Sequence, residues 1–141
     1  MSNPAAIYAA LTAKLLADAP LMALMPDGIY RDLASAGKTN FIILSKASDF
    51  RAYMFQGMAY EAVTYLVKAV SFSKSGTVAE QAAARMLTLL QDGSLTIAGY
   101  TLMVMQLAED GGTVEYVEPD EANLDARWQH RGWNFDITVS P

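Results

Sequence analysis

The sequence predicts an α+β fold: an antiparallel or mixed sheet of four to five strands with two main helices packed on one face. Three observations lead there. Residues 77–92, TVAEQAAARMLTLLQD, set Val78, Ala82, Met86, Leu89 and Leu90 on one face of a helix. On either side of it, 60–73 and 100–107 are runs of β-branched, aromatic and methionine residues with strand character. Residues 131–139 alternate Arg131, Trp133, Phe135, Ile137 and Val139 with Gly132, Asn134, Asp136 and Thr138, as a strand with one buried and one wet face does.

The elements follow in order. Asn3 and Pro4 open a first helix, a capping side chain followed by proline at the first helical position. Ile7, Ala10, Leu11 and Leu15 then recur at helical spacing, with Lys14 at the margin of the stripe. Asp18, Ala19 and Pro20 end that helix or start a short second one over 21–25, and Pro26-Asp27-Gly28 is a turn. Residues 29–33 are a short strand candidate, 34–39 a loop, and 41–45 (FIILS) a strand apolar on both faces. Residues 46–57, which mix aromatics with charge and end in Gly57, predict a hairpin or a projecting loop. For the helix at 77–92, Thr77 with Glu80 suggests a capping box and Gly93 a left-handed cap. Ala98-Gly99 turns into the strand at 100–107, and 114–117 is a further strand before an acidic turn at Pro119-Asp120.

Residues 60–73 carry Val63, Tyr65 and Val67 on one face and Ala62, Leu66, Val70 and Phe72 on the other. Residues 100–107 likewise oppose Leu102 and Val104 to Met103 and Met105. Two helices cover one face only, so either the sheet curls on itself or another subunit packs on the second face.

The 141 residues suffice for one domain over 1–141 with a real core, and 52% hydrophobic against 18% charged residues exclude a disordered chain. No apolar run reaches the roughly 18 residues needed to span a bilayer, so no membrane partner is expected. Lys14, Asp18 and Pro20 interrupt any signal-peptide pattern, and none is expected. Without cysteine, disulfides and thiolate metal sites are excluded. The net charge of −5 is local in origin: seven of the fifteen acids lie in 109–125, where no Lys or Arg occurs. That balance argues against nucleic acid as a partner for the whole surface.

No residue pattern encodes catalysis, and no cofactor is expected. His130 is the lone histidine, so any Ser/His/Asp or Cys/His device would run through it, yet no spacing supplies a base with its orienting partner. A surface or interface histidine is the expectation. Gly37-Lys38-Thr39 resembles the end of a phosphate-binding loop, but Asp32 stands where the first glycine belongs and a strand follows instead of a helix. The acidic stretch, with Glu115, Glu118, Asp120, Glu121 and Asp125, lacks the alternating ligand spacing of a calcium loop. It is a solvated loop, or a negative surface that faces a basic partner or repels DNA phosphate from a pore wall. Phe50, Arg51, Tyr53, Met54 and Phe55 form the densest aromatic cluster outside a clear strand. They pack beneath their own hairpin or form a subunit or partner interface, since aromatics, Met and Arg are enriched at interface cores.

Three segments carry a resemblance: LLADAPLMALMPDGIYRDL, SFSKSGTVAEQAAARMLTLLQDGSLTIAGYTL and RWQHRGWNFDITV. In order and length they resemble the tail terminator (tail completion) family of long-tailed bacteriophages and prophages, which includes minor tail proteins. The resemblance implies a non-enzymatic virion protein at the head-proximal end of the tail, assembled in the bacterial host cytoplasm. Its subunits would form a homo-oligomeric ring, commonly hexameric, that caps the tail tube protein and stops its polymerisation. The ring would offer a surface to head–tail connector or neck proteins, with DNA passing through without specific binding. Two other readings stand beside it. One is a head–tail adaptor or head-closure protein; the other is a small enzymatic or ligand-binding domain, which would need a deep polar pocket at His130.

Overall fold

The computed structural model describes residues 4–55, 57–109, 112–120 and 125–141. Helices α1 (Pro4–Leu16) and α2 (Ala19–Leu24) precede β1 (Ile29–Arg31), β2 (Asn40–Met54) and β3 (Gly57–Ser73). Helix α3 (Thr77–Leu90) then leads to β4 (Thr101–Leu107), β5 (Thr113–Pro119) and β6 (Arg127–Ser140). The strands form one mixed sheet in the order β1-β2-β3-β6-β4, with β5 also paired to β6. Only β1 runs parallel to its neighbour; every other pairing is antiparallel.

The α+β class is as expected, with six strands where four to five were expected. Both short candidates, at 29–31 and 113–119, join the sheet, and the strands also differ in length. β2 does not stop at Ser45 but passes through a bulge between Lys46 and Ser48 and continues to Met54. β2 and β3 therefore make one long hairpin, paired from Asn40–Ser71 up to Met54–Gly57. β4 and β5 lie end to end along the far side of β6, pairing with its C-terminal and N-terminal halves. Between them, Ala108 donates its N–H to the Asn134 carbonyl and Gly112 accepts from the Asn134 N–H, so the ladder bridges the break at a single residue.

The helices cover one face of the sheet. Ile7, Leu11 and Leu15 of α1 and Ala82, Met86 and Leu90 of α3 pack with Ile42, Leu44, Tyr65, Val67, Phe135 and Ile137 into the main core. Asp18 caps α2 by accepting from the Leu21 N–H, and its carboxylate takes two hydrogen bonds from Arg85 of α3, at 2.6 and 2.8 Å. That fork fixes α2 against α3, and it holds the Asp18 carboxyl below the usual carboxylate range. Trp133 Nε1 donates to the Ala83 carbonyl at 2.6 Å and pins α3 to β6.

Three local expectations are corrected. Thr77 is the first helical residue, the N-cap is Gly76, and no capping-box bond forms; Ser75 Oγ accepts from the Thr77 N–H instead. At the other end Asp92, with φ 54°, adopts the left-handed conformation, and Gly93 serves close approach, since a Cβ there would meet the Leu89 carbonyl oxygen. In β4 a bulge between Leu102 and Val104 brings Leu102 and Met105 to the same side, so Met105 is buried while Met103 and Val104 face out. Asn3 lies outside the described residues.

The second face of the sheet is apolar towards its ends. At one, Phe41, Ile43 and Val70 form a small cluster with Tyr30, Ala34 and Trp128; at the other, Phe50 lies beside Tyr60. The middle is polar, with Thr64 Oγ1 bonded to Asp136 Oδ1 at 2.7 Å. The sheet neither curls over this face nor exposes a continuous apolar surface on it, because bulges and polar residues interrupt the two-sided apolar strands.

Candidate interaction surfaces

Strand β3 pairs with β6 only from Glu61 onwards, so the last residues of the β2–β3 hairpin run beyond the body of the sheet. At this tip Tyr53, Met54 and Phe55 are 71%, 64% and 105% exposed, and Phe50, which adjoins the tip at the level of Ala62, is 60% exposed. They do not pack beneath their own hairpin; Phe50 lies beside Tyr60, ring centroids 6.4 Å apart. Arg51 behaves differently. Its guanidinium lies 3.0 Å from Asp49 and 3.3 Å from Glu61, a carboxylate only 2% exposed, so Arg51 braces the base of the hairpin. The sequence brought all five residues together as one cluster; strand alternation separates them, because Arg51 points to the helix side and Phe50 to the open side.

Glu115 and Glu118 of the acidic stretch lie in the edge strand β5 rather than in a solvated loop. Glu115 Oε1 lies 3.5 Å from Arg131 Nε, and Glu118 Oε1 lies 2.5 Å from His130 Nε2. Asp120 follows directly after β5 and Asp125 precedes β6, whereas Glu121 lies outside the described residues. Glu115 and Glu118 are thus partnered by an arginine and a histidine of the neighbouring strand.

His130 is the largest departure from expectation. It is buried, not at the surface, and stacks on Tyr116 with ring centroids 4.2 Å apart and planes at 11°. Tyr116 in turn accepts from Lys68 Nζ at 2.7 Å. Burial chiefly, with Lys68 and Arg131 adding to it, holds the imidazole pKa below its ordinary value; Glu118 opposes them. This burial comes from the pairing of β6 with β5, which alternation in β6 does not reveal.

His130 also borders an open cleft of about 400 Å³ on the second face of the sheet. Its floor is Phe41, Ile43, Val70 and Trp128, and the loop 32–38 forms its rim with Leu33, 83% exposed. Sequence reading passed over this feature because its residues come from four separate segments. Among the described residues, no three His, Asp or Glu side chains group in a way that would hold a metal ion, and no helix is long and apolar enough to cross a membrane.

These features define an α+β protein with a projecting aromatic hairpin and an acidic sheet edge. No protein-family model matches the chain, and no curated protein matches it significantly. Its fold is shared with a chain from the virion of a native gene transfer agent particle, at a TM-score of 0.74 and 19% identity. The likeness covers 97% of this chain and 96% of that one.

Proposed function

We propose that this chain is a structural protein of a phage-like virion and, within it, a tail terminator. Subunits assemble into a ring, commonly of six, that caps the tail tube, ends its polymerisation and presents a surface to the head's neck proteins. The role is mechanical rather than catalytic. The observation that carries the reading is the fold likeness to a chain of a gene transfer agent virion over nearly the full length of both. A monomer seldom leaves a contiguous aromatic tip in water, and assembly would cover it. The acidic residues Glu115, Glu118, Asp120, Glu121 and Asp125 would line the lumen or face one neighbouring ring.

The test is the solution mass of the purified chain, with and without tail tube protein. A species near six times 15.3 kDa, roughly 92 kDa, that arrests tube growth is the expected result. A chain that stays monomeric and leaves tube length unchanged sinks the terminator reading. Arrest of tubes separates it from a head–tail adaptor, which would bind the connector and leave the tube growing.

A further inference from the structure

The exposed hairpin tip and the open-face cleft lie at opposite ends of the same strand. From Met58 to Val70, β3 extends by roughly 40 Å at about 3.3 Å per residue, so the two cannot meet within one chain. The tip is apolar and exposed, and the cleft is open to solvent over an apolar floor, with Asp32, Lys38, Lys68, Glu118 and His130 around it. We infer that the tip of one copy seats in the cleft of the next, head to tail. This rests on the ring reading above and deepens it, since it names the surfaces by which neighbours join.

Size supports a second copy as the occupant. Three aromatic side chains and a methionine, at about 150–250 Å² per aromatic, offer roughly 500–600 Å² of exposed tip. A standard interface takes about 800 Å² from each partner, so the tip supplies most of one contact. The cleft, about 400 Å³, falls within the range of sites that enclose a small organic group. Its floor of Phe41 and Trp128 gives the aromatic surface against which such rings pack, and Leu33 stands exposed on the rim to close over them. Tip and cleft are different surfaces, so the contact is heterologous, as a closed ring requires, and each copy gives one tip and receives another.

The experiment uses two variants of the full chain, each changing exposed side chains. Phe55→Glu places a charge at the tip and leaves the cleft intact. Leu33→Glu with Ala36→Glu does the reverse. Light scattering is run on each alone and on the mixture, with tail tube protein added to all samples if the parent assembles only on the tube. Each variant alone is expected to be monomeric. Their mixture is expected to form a one-to-one pair at twice 15.3 kDa and grow no further, because only one intact tip and one intact cleft remain. Thermal melts matching the parent's show that folding is unaffected; a variant that melts lower is replaced by Tyr53→Glu or Ala36→Glu alone. If the parent forms rings and either variant still does so, or the mixture stays monomeric, the tip–cleft contact is wrong and the ring reading survives. A parent that stops at two copies overturns the head-to-tail arrangement. A parent monomeric with and without tube protein sinks both.

Discussion

Tyr65 sits fully buried at the middle of the core, yet its hydroxyl has no hydrogen-bond partner among the described residues, and burial raises its pKa. Such an oxygen has lost its water without a replacement, a cost of about 1–3 kcal/mol. Tyr65→Phe keeps the ring and removes the orphan, so it should leave stability unchanged or raise it by about 1 kcal/mol, read as an equal or higher midpoint in urea. His130 carries the opposite kind of information. Its folded pKa lies below the unfolded value near 6.5, so the unfolded chain takes up the proton first as pH falls. Stability from neutral His130 is therefore complete above the unfolded pKa and is lost on acidification through the folded one. The groups facing it are Lys68 and Arg131, which disfavour the cation, and Glu118, which favours it. His130→Gln should flatten the fall in melting temperature between pH 7 and pH 5. An unchanged slope would mean that other groups carry it.

At the scale of elements, the packing of β3 against β6 depends on Gly132. A Cβ at this position would collide with the Val67 carbonyl oxygen and with Lys68, both on the neighbouring strand, where only backbone shift gives relief. Gly132→Ala should cost about 1–3 kcal/mol, measurable as a lower urea midpoint at constant slope. Much of this level was legible in the sequence. The period of Phe135, Ile137 and Val139 marks the buried face of β6, and the spacing of Ala82, Met86 and Leu90 marks that of α3. Illegible were features decided by a partner strand. The bulge that turns Met105 inward is invisible to a strict count of alternation. The extension of β2 through Lys46 to Met54 is hidden by charges that pair along the strand, Lys46 and Arg51 with Asp49, and across the hairpin, Arg51 with Glu61. The cap of α3 was misplaced by one residue because Ser75, Gly76 and Thr77 offer competing local hydrogen bonds.

For the whole molecule, one sheet carries two unlike faces, and the division of labour follows from it. The helix side holds the core and fixes the fold. The open side and the two ends of the long hairpin hold exposed apolar surface, where substitution is expected to leave folding alone. Of the surfaces expected from sequence, the aromatic group at 50–55 divides into an exposed tip and a bracing Arg51, and the acids at 115–118 into an edge strand tied to β6. The cleft drew no attention beforehand, since no stretch of the sequence contains it.

The order of the strands also sets a timetable for synthesis. β6 lies between β3 on one side and β4 with β5 on the other, yet the ribosome makes it after all of them. Its partners in β3 are 54 residues away at Ser73–Arg127 and 78 at Glu61–Val139. Until residue 140 has emerged, the β2–β3 hairpin has an open edge, and α3 lacks the tryptophan that anchors it. Pairing across such separations pays a large loop-closure entropy before any contact rewards it, and so the sheet closes slowly and only once this strand is complete. Until this strand pairs, β3 presents an unsatisfied edge, the kind of template on which incomplete chains adhere to one another.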